Sequence, residues 1–132
     1  MKEVLDTRFF TNHYGSRDAE TIERTRAKLS QLRRERRGLV PAVVLAEVAH
    51  FLCVEAGRKR AIAEVRAIEE SGLEIVPLDA PVAREAGILK CVHRTLPFVD
   101  CVIAATAMRV EGRVVSDDPH FDRIEGLRVT WI

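Results

Sequence analysis

Leu39-Val40-Pro41-Ala42-Val43-Val44-Leu45-Ala46-Glu47-Val48-Ala49 holds the junction on which the reading of the fold turns. Leu39 and Val40, directly after Gly38, read as a very short buried strand. Pro41 has no N–H to offer a ladder, and its fixed φ suits the first turn of a helix. That helix is expected to run to Val54, with Gly57 as its stop. A strand that passes directly into an apolar helix is the repeating unit of an α/β fold.

The same alternation continues on both sides. Val4-Leu5 reads as a short strand ending at Asp6, and Ser16 or Asp18 caps a helix expected to reach about residue 37. Its few apolar positions are Ile22, Ala27, Leu29 and Leu32, and Gly38 ends it. A polar helix over 58–70 carries Ile62, Val65 and Ile68, which are expected to pack inward. A strand over 73–76 and a helix from Pro81 to about Val92 follow. Pro97 begins a helix to about Val110, and residues 113–116 form the next strand. A turn at Asp118-Pro119, a helical segment near Phe121 and a strand over 127–131 complete the chain. Short strands alternating with helices predict an α/β fold with a mostly parallel sheet. At 132 residues, the length predicts one domain over 1–132.

Composition excludes several classes. With 47% apolar and 31% charged residues the chain is neither disordered nor membrane-spanning. Met1-Lys2-Glu3 is not the start of a signal peptide, and a cytoplasmic protein is expected. Net charge is only +1, so no global basic character announces nucleic acid. Seventeen Arg against four Lys, with Asn12 and Gln31 the sole amides, are read as marks of a GC-rich or heat-adapted source. Cys53, Cys91 and Cys101 show no metal or redox spacing and are expected as small core residues. His13, His50, His93 and His120 show no ligand spacing either, and are expected to be structural or exposed.

Four acids stand out because each sits in apolar surroundings: Asp6, Glu47, Asp100 and Asp118. Asp100 lies within Pro97-Phe98-Val99-Asp100-Cys101-Val102-Ile103, and Asp118 follows Val114-Val115-Ser116. A buried carboxylate must be paired, protonated or bound to a metal. In a parallel sheet the carboxyl ends of the strands share one edge, where ligands bind. Asp6 and Asp118 fall at or just past such ends, Asp100 in the first turn of its helix, and Glu47 about two turns into its own. Taken singly, Asp6 and Asp118 would pass as capping or turn residues; four similarly placed acids predict one shared site. Clustered oxygen donors without cysteine suit Mg2+ or Mn2+, and the chemistry such ions serve best is phosphodiester hydrolysis.

At these residues the chain resembles a known family. Val4-Leu5-Asp6-Thr7, the segment from Pro41 to Val48, that from Leu96 to Ala107 and that from Val114 to Phe121 are similar, in order, to PIN-domain proteins. The likeness is to the ribonuclease toxins of VapBC toxin–antitoxin pairs and their archaeal relatives. It implies a PIN-like three-layer sandwich and Mg2+- or Mn2+-dependent endoribonuclease activity. Asp6, Glu47, Asp100 and Asp118 would be the metal-binding acids, supported by Thr7 and Ser116. RNA would be the substrate, an antitoxin the protein partner, and a homodimer the assembly.

Two positions depart from that pattern: Arg8, where relatives often carry a small polar residue, and His120, where many have a second Asp. Alignment of Ser116 with the usual hydroxyl makes Asp118 the ligand and Asp117 a surface or secondary contact. The basic runs at 33–37 and 58–60 are read as solvated helix ends ahead of an RNA phosphate track. A haloacid-dehalogenase-type phosphatase needs an Asp where Arg8 stands, and a phosphoacceptor receiver needs a late Lys, yet no lysine follows Lys90. Two alternatives remain: a catalytically silent PIN fold acting as an interaction or RNA-binding module, and an RNA-processing nuclease without an antitoxin.

Overall fold

The computed structural model describes residues 1–132 and has five strands, six helices and one 3₁₀ turn. Strand β1 (Glu3–Leu5) leads into α1 (Thr7–Gly15) and α2 (Ala19–Glu35). Then come β2 (Gly38–Pro41), α3 (Ala42–Ala56), α4 (Arg58–Glu69) and β3 (Glu74–Val76). Helices α5 (Ala80–Val92) and α6 (Phe98–Arg109) precede β4 (Arg113–Val115), the 3₁₀ turn Pro119–Arg123 and β5 (Arg128–Thr130). No helix is long and apolar enough to cross a membrane.

The sheet order is β3-β2-β1-β4-β5, and every pairing is parallel. Chain order runs outward from β1 to β3 on one side, then crosses back to β4 and β5 on the other. Right-handed connections in the two directions put helices on opposite faces, which makes the sandwich. The reversal also opens a crevice beyond the carboxyl ends of β1 and β4, the switch point of an open parallel sheet.

Several boundaries follow local chemistry closely. Asp18 caps α2 by accepting from Glu20 N, and Asp79 caps α5 by accepting from Val82 N. Helix α2 stops earlier than expected: Arg36 takes the left-handed conformation at φ 53°, and Gly38 is already in β2. Pro41 and Pro97 each precede their helix by one residue instead of opening it. Helix α6 is buried all round from Cys101 to Ala107, as an apolar helix at the centre of a sandwich must be. The hydroxyl of Thr106 within it is satisfied by donating to Val102 O at 2.8 Å.

Three expectations fail. Residues 7–15 form a helix that the sequence reading left unassigned. Its buried pair, Phe9 and Phe10, is consecutive, and adjacent residues make no helical stripe. Cys53 and Cys91 are exposed, and only Cys101 lies in the core; all three are free. Both exposed thiols stand on outward faces of helices whose opposite sides meet the core. Ile62 is exposed as well, while Ile68 is buried and Val65 packs against the core.

Glu3, in the central strand, is fully buried. Lys28 Nζ stands 2.9 Å from Oε1, Arg37 Nη1 3.3 Å from Oε2, and the Arg113 guanidinium also pairs with Oε2. Burial alone would raise the Glu3 pKa, but hydrogen bonds from Lys28 and Arg113 outweigh it and hold the carboxyl below its usual value. A depressed carboxyl stabilises the fold above its unfolded pKa, and that contribution fades as pH falls through the folded value. Replacing Glu3 by Gln should therefore cost about 2 kcal/mol at neutral pH. Denaturant unfolding of both proteins at pH 7 and at about pH 3 checks this: the difference should shrink in acid, and an equal difference at both would deny the charge its role.

Candidate metal centre

The acidic edge is built from four pieces of chain. Asp6 follows β1 and serves as N-cap of α1, with Oδ1 accepting from Thr7 N at 2.7 Å. Its Oδ2 accepts from the Ser116 hydroxyl at 2.5 Å, which ties the end of β1 to the end of β4. Asp6 is only 2% exposed. The Thr7 hydroxyl donates to Glu47 Oε1 at 2.5 Å, so the first turn of α1 orients the acid on α3. Asp100, in the first turn of α6, and Asp118, at the cap of the 3₁₀ turn, complete the group.

The Ser116 oxygen works twice, since it also accepts from the Asp118 N–H at 3.0 Å. Asp118 Oδ1 in turn accepts from His120 N at 2.9 Å. This chain of bonds fixes Asp118 relative to Asp6 without any contact between their carboxylates. His120 enters the group as well: its Nδ1 is 3.1 Å from Asp100 Oδ2 and 3.4 Å from Asp118 Oδ1. One donor atom from each of Asp100, Asp118 and His120 lies within 4.8 Å of the others. Asp6 and Glu47 stand beside that trio, each already held by a hydroxyl.

The structure brings Asp6, Glu47, Asp100 and Asp118 to one edge, with Ser116 and Thr7 bonded to the first two, and it adds His120, which was expected to be structural or exposed. Spacing gave no signal for it, because Asp118 sits two positions away in its own turn and Asp100 twenty positions away on α6. The cues were its place directly before the buried Phe121, in a turn that also carries Asp118, and its standing where many PIN-domain relatives have a second Asp. Asp117 is exposed, as expected for a surface contact, and binds Arg8 through Nε at 2.6 Å and Nη2 at 3.2 Å. Arg8 therefore stands at the rim of the acids but is engaged elsewhere. It holds the Asp117 carboxyl below its usual value.

The electrostatics of the edge are unbalanced. Burial raises the Asp6 pKa most; the Ser116 hydrogen bond opposes it, and repulsion from Asp100 and Asp118 adds to it. The carboxyl is pushed up to about 6. Asp100 is raised too, first by burial, against the hydrogen bond from His120 and with repulsion from Asp118 and Glu47. No Lys or Arg forms an ion pair with Asp6, Glu47, Asp100 or Asp118. Converging carboxylates, poor solvation and no protein cation are the conditions that a divalent ion relieves, and the donor set is of the hard type that Mg2+ and Mn2+ take. The residues fit such an ion.

Comparison with known proteins agrees with this architecture. The fold resembles VapBC2 from Rickettsia felis, a structure bound to a DNA fragment from its promoter. The TM-score is 0.78 at 19% identity, over 99% of this chain and 98% of that one. DNA-bound VapBC from Salmonella typhimurium gives a TM-score of 0.77 at 23% identity, over 99% and 98% of the two chains. VapC20 from Mycobacterium tuberculosis, a sarcin–ricin loop cleaving toxin, gives 0.71 at 19% identity, over 89% and 91%. At such identities these likenesses speak to the fold. No curated protein sequence matches the chain. The family model for the PIN domain matches residues 4–127, a span that includes all four acids and runs from β1 to the residue before β5. The chain belongs to the PIN domain family.

Proposed function

We propose that this chain, working as a single domain over 1–132, is a divalent-metal-dependent endoribonuclease and the toxin of a VapBC-type pair. The observation that carries the reading is the acidic edge, where four carboxylates converge with no lysine or arginine paired to them. Asp100 and Asp118 would hold Mg2+ or Mn2+ directly, with Asp6 and Glu47 completing the negative field around it. Such an ion, when bound, makes water a better nucleophile toward phosphorus and stabilises the leaving oxygen.

The chain's own groups supply the rest. Ser116 and the Thr7 N–H fix Asp6, and the Thr7 hydroxyl fixes Glu47, so the acids stay in place while substrate exchanges. Burial of Asp6 keeps bulk water away from one side of the site. RNA is the proposed polymer because the family resemblance and the named activity of the Mycobacterium tuberculosis neighbour point the same way. An antitoxin is the proposed protein partner, on the strength of the VapBC complexes among the structural neighbours. The proposed homodimer would use exposed apolar residues of α5, Ile88 at 60% and Val92 at 70% exposure. The cytoplasm is the proposed compartment.

Three outcomes follow. Asp100→Asn should keep the fold and lose metal-dependent RNA cleavage by more than the roughly 10–100-fold that outer-shell changes cost. Assay of a mixed RNA pool in Mn2+, with chelator as control, reads this directly; equal cutting by both proteins removes Asp100 from the mechanism.

The raised Asp6 pKa has a signed consequence. Between about pH 4 and pH 6 the folded protein binds a proton that the unfolded chain releases. Metal-free stability therefore falls as pH rises through that window, and the deficit persists at pH 7. A shift from 3.8 to about 6 corresponds to about 3 kcal/mol as an upper scale. Asp6→Asn should raise the metal-free melting temperature at pH 7 and reduce the stabilisation given by Mn2+. A lower metal-free melting temperature for the variant would mean that the carboxylate is not under strain.

For the assembly, Val92→Glu should convert a dimer to a monomer in sedimentation velocity. A variant that remains dimeric would move the interface elsewhere.

A further inference from the structure

His120 stands inside the acidic edge without belonging to the four-acid set. Its Nδ1 is 3.1 Å from Asp100 Oδ2 and 3.4 Å from Asp118 Oδ1. Two ligands at right angles about a small divalent ion, with bonds of about 2.1 Å, are separated by about 3.0 Å. The spacing of Nδ1 from both carboxylate oxygens is close to that of neighbouring ligands on one ion. A hydrogen bond explains only half of it, because one ring nitrogen carries one proton and cannot serve two carboxylates fully.

The ring is also held where it stands. The His120 N–H donates to Asp118 Oδ1, Pro119 precedes it, and the fully buried Phe121 anchors the turn on the other side. No Lys or Arg pairs with Asp100 or Asp118, so no protein cation competes for the position. The groups facing the ring are acids: Asp100 and Asp118 in contact, with Glu47 acting on Asp100, and Asp100 and Asp118 on Asp6, at longer range.

We infer that His120 is a nitrogen ligand of the metal centre and biases it from Mg2+ toward first-row transition ions such as Mn2+. The inference rests on the metal-dependent reading above. Magnesium takes oxygen ligands and gives up its water reluctantly, whereas imidazole suits the transition ions. One nitrogen among carboxylates shifts the balance without excluding magnesium. Ligation needs the neutral ring with its proton on Nε2, the nitrogen that does not face the acids.

The test is pulsed electron paramagnetic resonance of Mn2+-loaded protein, beside competition calorimetry of Mn2+ against Mg2+. Wild type should show nitrogen modulation from a directly bound imidazole, and His120→Asn and His120→Ala should lose it. Asn keeps an oxygen donor near the position of Nδ1, so His120→Asn should still bind metal while its preference for Mn2+ over Mg2+ falls about tenfold. Bound Mn2+ without nitrogen modulation in wild type overturns the assignment and leaves the metal-dependent reading standing, as does an unchanged ion preference in a folded variant. Wild type that takes up no Mn2+ overturns both. The wild-type spectrum decides the matter even where a variant fails to fold.

Discussion

Strand β1 carries a buried carboxylate at each end, and the fold treats them in opposite ways. Glu3, at the amino end, is surrounded by Lys28, Arg37 and Arg113, and its pKa is held down. Asp6, beyond the carboxyl end, meets one hydroxyl, one backbone N–H and other acids, and its pKa is pushed up to about 6. The first acid is neutralised from within the chain. The second sits where a cation must come from outside if the carboxylates are all to be charged at neutral pH. That asymmetry polarises the molecule into a closed structural end and an open chemical one.

The rest of the architecture serves the open end. Parallel pairing brings the carboxyl ends of β1 and β4 side by side, and the reversal of strand order beside β1 opens the crevice between them. Ser116 then links both strand ends by bonding Asp6 and the Asp118 N–H. Helix α6, buried from Cys101 to Ala107, holds Asp100 in its first turn against the same edge. Positioning of this kind places repulsive groups within a few ångströms of each other. It stands only because the apolar core behind them is continuous from α1 to the 3₁₀ turn.

Much of this was legible in the sequence, for physical reasons that can be named. The four acids were visible because each interrupts an apolar run, and a buried charge needs a partner. Helices α3 to α6 were visible because Gly57, Asp79, Pro81 and Pro97 punctuate them. Helix α1 was not, because it begins one residue after a strand and buries two adjacent phenylalanines in place of a stripe. Glu3 carried no signal of burial, since its three cations lie 25 to 110 residues away in sequence. His120 was hidden in a similar way: Asp118 is a neighbour in its own turn, but Asp100 meets it only through the fold. Polar clusters assembled across the sheet leave no periodic trace, and Cys53 and Cys91 erred in the other direction, apolar in sequence context yet outward-facing on their helices.

Whether the acidic edge is a cation site is tested most directly by anomalous diffraction from Mn2+-soaked crystals. A Mn2+ peak within bonding distance of Asp100 and Asp118, beside Asp6 and Glu47, is the predicted result. Crystals that hold no ion there at saturating Mn2+, with the acids paired instead to side chains of the protein, would contradict it.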